Sequence, residues 1–160
     1  MGNYAPSTRQ RIADINLGLR VDRATDDIPH TTTETLFNVV GGKVLMTMLV
    51  GECTVDVAGA IVITLAHDPD TGDTANLCAA TTITAVNAGD VITLPASGLL
   101  TDTMVPATQA ASVHKAYSGV ILTAGIITLY SNGTQDGNFK WSLFYVPLDT
   151  GAYVTAEPIT

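Results

Sequence analysis

From Thr33 onward the chain alternates apolar and polar residues in short runs, broken by clusters of Gly, Asn, Asp and Pro. That two-residue period marks strands with one buried face. Ile61, Ile63 and Leu65 share one side of the run 60–66. Phe139, Trp141, Leu143 and Tyr145 share one side of the clearest strand, with Lys140, Ser142 and Phe144 on the other. Glu34–Val40 leads into Gly41-Gly42 and Lys43–Val50 follows, which predicts a hairpin. Gly51-Glu52 predicts a break before Cys53–Val57, and His67–Asn76 reads as a polar turn. Leu77–Val86 is Thr-rich and suits a half-exposed strand, and Asn87–Asp90 turns into Val91–Pro95.

The stretch 96–118 lacks alternation and reads as a short helix over Thr108–Tyr117 or a long loop. The strand pattern resumes over Val120–Tyr130 with Gly125 as a bulge or kink, and Asn132-Gly133 and Asp136-Gly137 mark the next hairpin. Pro147 ends the aromatic strand, Asp149-Thr150-Gly151 turns, and Ala152–Ala156 forms a last edge strand. Short strands with a turn after each predict an all-β fold, an antiparallel β-sandwich. The long strand-poor insert favours the crossing connections of a jelly-roll-like sandwich over a plain meander.

Residues 1–30 differ: they lack sustained alternation and end in Asp26-Asp27-Ile28-Pro29-His30. They read as an extended N-terminal arm, with residues 31–160 forming the sandwich domain. Fully extended, such an arm reaches on the order of 100 Å. Deleting residues 2–25 is therefore expected to spare the fold.

Composition adds a puzzle. Only 14% of the 160 residues are charged while 46% are hydrophobic, against a usual charged fraction of roughly 25%. The apolar content excludes disorder. With 24 Thr, 19 Ala and 14 Gly, something uncharged must cover this protein. The net charge of −8 is unevenly placed. Residues 1–25 carry Arg9, Arg11, Arg20 and Arg23 against Asp14 and Asp22, a balance of +2, and the remainder balances at −10. An acidic body argues against nucleic acid, whose phosphates demand a basic face. No apolar run approaches the ~20 residues of a spanning helix, and none near the start resembles a secretion signal. These features read as a soluble protein made in a cytoplasm, with no membrane partner.

Candidate chemistry is sparse. Cys53 and Cys78, the two cysteines, lie among strand-like residues and read as buried free thiols, with a bridge as the alternative. Asp68, Asp70 and Asp73 share one turn and could converge on a cation. The calcium-loop pattern is not met, however, because Gly72 takes its fifth place and Ala79 its twelfth. An Asp/Gly-rich turn chosen for its geometry is the other reading. His30, His67 and His114 have no metal-binding spacing, no G-x-S-x-G occurs, and Gly41-Gly42-Lys43 lacks the rest of a phosphate loop. No cofactor, metal or catalytic residue is assigned.

Two blocks resemble small tailed-bacteriophage virion proteins. Leu36-Phe37-Asn38-Val39-Val40-Gly41-Gly42-Lys43-Val44-Leu45, with Leu49-Val50-Gly51-Glu52-Cys53-Thr54, is similar to their opening hairpin. Phe139-Lys140-Trp141-Ser142-Leu143-Phe144-Tyr145-Val146-Pro147-Leu148-Asp149-Thr150-Gly151-Ala152 is similar to their closing strand and turn. The resemblance implies a capsid decoration, or cement, protein. Such a protein is a non-enzymatic jelly-roll-like module, often a homotrimer, bound to the major capsid protein on the virion exterior. In that setting the arm anchors the module, and Tyr4, Arg9, Arg11, Arg20 and Arg23 are the expected contacts. Arg suits pairing with capsid carboxylates. A tail, fibre or baseplate component is the alternative. A β-sandwich carbohydrate-binding module is a second, and it would need exposed aromatic residues.

Overall fold

A computed structural model describes residues 17–94, 105–106, 119–134 and 136–159. In chain order the strands are β1 (Leu19–Asp27), β2 (Thr33–Val40), β3 (Val44–Val55), β4 (Ala60–Pro69), β5 (Ala75–Asn76) and β6 (Thr81–Thr84). They continue as β7 (Val91–Leu94), β8 (Val105–Pro106), β9 (Val120–Leu122), β10 (Gly125–Ser131), β11 (Asn138–Pro147) and β12 (Tyr153–Ala156). Two antiparallel sheets result. Sheet A runs β1-β11-β3-β7-β8, with β9 also on β3; sheet B runs β12-β2-β10-β4-β5, with β6 also on β4.

The pairing is nested: β1 with β11, β2 with β10, β3 with β7 and β9, and β4 with β5 and β6. From β1 to β4, each strand lies in the opposite sheet from its predecessor. A folded ribbon of strands wrapped into two facing sheets is the jelly roll, and β12 adds one strand beside β2.

This topology corrects two expected hairpins. β2 and β3 do not pair, because Gly41-Gly42 carries the chain from sheet B to sheet A. Both glycines have positive φ, 77° and 142°. A Cβ on Gly41 would lie 2.6 Å from the Gly151 carbonyl oxygen, and one on Gly42 would lie 2.7 Å from the Asp149 Cβ. The Asp149 carboxylate meanwhile accepts the Lys43 N–H at 2.8 Å. β10 and β11 likewise lie in different sheets and do not form the expected hairpin. Gly125 opens β10 just after the chain leaves β9 of sheet A.

Other boundaries shift for packing reasons. Gly51 does not break β3; the Trp141 ring lies over it, so a Cβ there would sit 2.7 Å from Cζ3. β4 continues through His67, which follows Ile61, Ile63 and Leu65 on the buried face. Only Thr81–Thr84 of the expected 77–86 strand is β, although Leu77 and Cys78 are buried. Of 96–118, only β8 falls within the described residues. The core lies between the sheets as the alternation requires: Phe139, Trp141, Leu143 and Tyr145 all face it. Phe139 and Trp141 stack there with centroids 5.7 Å apart.

The largest correction concerns the arm. Residues 19–27 are the first strand of the jelly roll, paired with β11 from Leu19↔Tyr145 to Asp27↔Asn138. Leu19, Val21 and Arg23 lie opposite the inward residues Tyr145, Leu143 and Trp141, while Arg20 and Asp22 face out. The strand does alternate, but an arginine fills an inward position. The register then shifts between Arg23 and Asp26, which interrupts the period. A strand read by hydrophobicity alone is invisible here.

Candidate functional site

Of the five expected contact residues, Tyr4, Arg9 and Arg11 lie outside the described residues. Arg20 is on the outer face of β1, where its Nε donates to Asp22 at 2.7 Å and its guanidinium lies 5.8 Å from the Phe144 ring centroid. Burial pushes Asp22 upward, but hydrogen bonds from Ser142 and Arg20 outweigh it and leave the carboxyl below its usual range.

Arg23 is not a surface anchor. It is 2% exposed, and its Nη2 donates to Asp26 at 2.7 Å and to Glu34. Glu34 belongs to β2 of the opposite sheet, so this triad ties the edge of sheet A to sheet B. Burial, and then the hydrogen bond shared with Asp26, push Glu34 up to about 7 against the pull of Arg23. The Arg23 Nε has no hydrogen-bond partner among the described residues. An inward-facing charge on an edge strand also discourages pairing with a foreign strand.

The two outer faces of the sandwich differ in character. On sheet A, Leu45, Met48, Val50, Val91, Phe144 and Val146 point outward and are half-buried, and Ile121 is 61% exposed. Charges of both signs, Arg20 and Asp22 on β1 and the cross-strand pair Lys140 and Glu52, rim this strip. A groove of about 210 Å³ runs between them over Met48, Val50 and Phe144. A sheet apolar on both faces calls for a second covering layer.

Sheet B mixes hydroxyls with scattered larger side chains: Val40, Val62, Ile126, Tyr130 and Tyr153 also face outward. Thr33, Thr35, Thr64, Thr82, Thr84, Thr128 and Thr155 face outward, joined by Asn38 and Asn76. Asp68 is the one charged side chain among the outward strand positions of this face. A groove of about 380 Å³ crosses this face beside Tyr130.

The remaining candidates resolve simply. Cys53 and Cys78 are buried free thiols. Burial, then Asp56 and Asp90, push Cys53 up to about 11, and burial raises Cys78. Both are therefore poor nucleophiles. Burial lowers the pKa of His67, whose Nδ1 lies 3.2 Å from the Ile126 carbonyl. Asp68 accepts the Thr74 hydroxyl at 2.5 Å, and no group of three His, Cys, Asp or Glu that could hold a metal occurs among the described residues. Sequence reasoning missed Asp26, Glu34 and the Tyr130 groove. The first two become visible only once β1 is placed against β2.

No protein-family model matches the chain, and no curated protein matches it. Among solved structures it is similar to a chain in the structure of infectious bursal disease virus, Gx strain. Identity is 12% and the TM-score 0.24, with 85% of this chain and 33% of that one covered. This chain therefore spans about a third of that protein's length. A TM-score so low does not establish a common architecture.

Proposed function

We propose that the chain is a non-enzymatic structural protein of a bacteriophage virion, made in the host cytoplasm. It binds the major capsid protein on the capsid exterior as a homo-oligomer, in the first instance a trimer, and stabilises contacts between capsomers. The observation that carries this reading is the apolar outer face of sheet A, whose inner face already fills the core. An apolar strip rimmed by polar residues is the usual mark of a contact with another chain. Closed rotational symmetry lets copies of one chain make that contact, and charges of both signs at its rim offer partners to a neighbouring copy.

The test is co-sedimentation with capsids together with light scattering. The wild-type chain is expected to pellet with capsids and to be a discrete oligomer alone. Phe144→Glu, which places a carboxylate in the strip, is expected to dissociate the oligomer and weaken capsid binding. A monomeric wild type that ignores capsids contradicts the reading.

A further inference from the structure

We propose that the groove across the outer face of sheet B binds a neutral saccharide, with Tyr130 as its stacking platform. The trough follows from the strand register. On β10, Thr128 lies opposite Ala66 of β4 and Thr35 of β2, and Ala66 lies opposite Asn76 of β5. These small side chains form a low row across the strands. One row further along, Tyr130 stands between Thr33 and Thr64. On the opposite side the wall is Asp68 with the Thr74 hydroxyl bonded to it. The resulting groove of about 380 Å³ lies within the range of small-ligand sites. From β10 to β5 it spans two strand spacings, about 10 Å, which is the length of a disaccharide.

The lining chemistry selects the ligand class. Thr hydroxyls and the Asn carboxamide each donate and accept, as sugar hydroxyls do, and Asp68 adds an acceptor. The side chains of Thr33, Thr64, Asn76 and Tyr130 make no hydrogen bond among the described residues, and Thr128, on the trough floor, is 8% exposed. No Lys or Arg lines the groove, which disfavours phosphate, sulfate and nucleic acid. A flat apolar ligand would leave these hydroxyls unpaired at a cost. A pyranose ring offers both complements: hydroxyls at its rim and a C–H face for the ring of Tyr130, which is 41% exposed. This proposal is independent of capsid attachment, and either can fail alone.

The test is titration of the full chain with neutral hexasaccharides of glucose (α-1,4 and β-1,4), xylose and N-acetylglucosamine. Amide chemical shifts and calorimetry provide the readouts. At least one hexasaccharide is expected to bind, moving the signals of Thr128, Asn76 and Tyr130. Tyr130→Ala should weaken binding about tenfold, in line with a lost aromatic stack, while Tyr130→Phe retains most of it. Ala66→Leu, which fills the trough floor, should abolish binding. Tyr153→Ala, on the same face but outside the trough, should leave it unchanged. Absence of binding to all four, or binding indifferent to both Tyr130→Ala and Ala66→Leu, overturns the proposal.

Discussion

Among single residues, Arg23 has the largest structural consequence. Its guanidinium joins Asp26 of its own strand end and Glu34 of the facing sheet while 2% exposed. Truncating one member of a buried ionic group leaves the others uncompensated. Arg23→Ala is expected to cost about 3 kcal/mol in urea unfolding. Arg20→Ala, at a half-exposed ion pair, should change stability by less than about 1 kcal/mol. Glu34 adds a pH dependence of defined sign. Its pKa in the fold, about 7, lies above its ordinary 4.5, so the folded state holds the proton more tightly than the unfolded chain. The stabilisation is fully present below pH 4.5 and is lost as pH rises through 7. Urea midpoints of the wild type should therefore fall across that window, by the equivalent of about 2 kcal/mol or less. Glu34→Gln should flatten that part of the profile; an unchanged slope would mean that Glu34 titrates normally.

At the scale of elements, β1 decides where the fold begins. Deleting residues 2–16 should leave cooperative unfolding intact. Deleting residues 2–27 removes the partner of β11 and should abolish it, as read by circular dichroism and thermal melts. The expected tolerance of a 2–25 deletion falls with the correction of the arm. Gly51 carries a second prediction at this scale. A side chain there meets the Trp141 ring, so Gly51→Ala should lose about 1–3 kcal/mol through overpacking, again by urea titration. These elements also show what the sequence could and could not convey. The faces of β4 and β11 were legible because Ile61, Ile63 and Leu65, and then Phe139, Trp141, Leu143 and Tyr145, recur at every second position. β1 was not, because an arginine occupies an inward position and one of its two partner carboxylates, Glu34, lies on another sheet. Gly41-Gly42 signalled a turn correctly, but local chemistry does not say whether the next strand pairs with the last or crosses to the facing sheet. The Tyr130 trough depends on three registers at once, which no local pattern encodes.

For the whole molecule, the sandwich is asymmetric: the outer face of sheet B is richer in threonine, and that of sheet A gathers Leu45, Met48, Val50, Phe144 and Val146 into one strip. The scarcity of charge, at first only a compositional oddity, divides into these two surfaces with different uses. A solvated threonine face tolerates water without Lys or Glu, whereas an apolar strip rimmed by Arg20, Asp22, Glu52 and Lys140 calls for a covering chain. Met48→Glu should accordingly reduce the oligomer to monomers in light scattering while the monomer keeps its β circular dichroism and cooperative melt, since the side chain lies outside the core. The most direct measurement of the central claim is an electron-microscopy reconstruction of the virion that carries this chain. The expected result is copies on the capsid exterior across capsomer boundaries, with the outer face of sheet A covered by a neighbouring chain. Copies confined to the tail, or on the capsid with that face open to solvent, would contradict it.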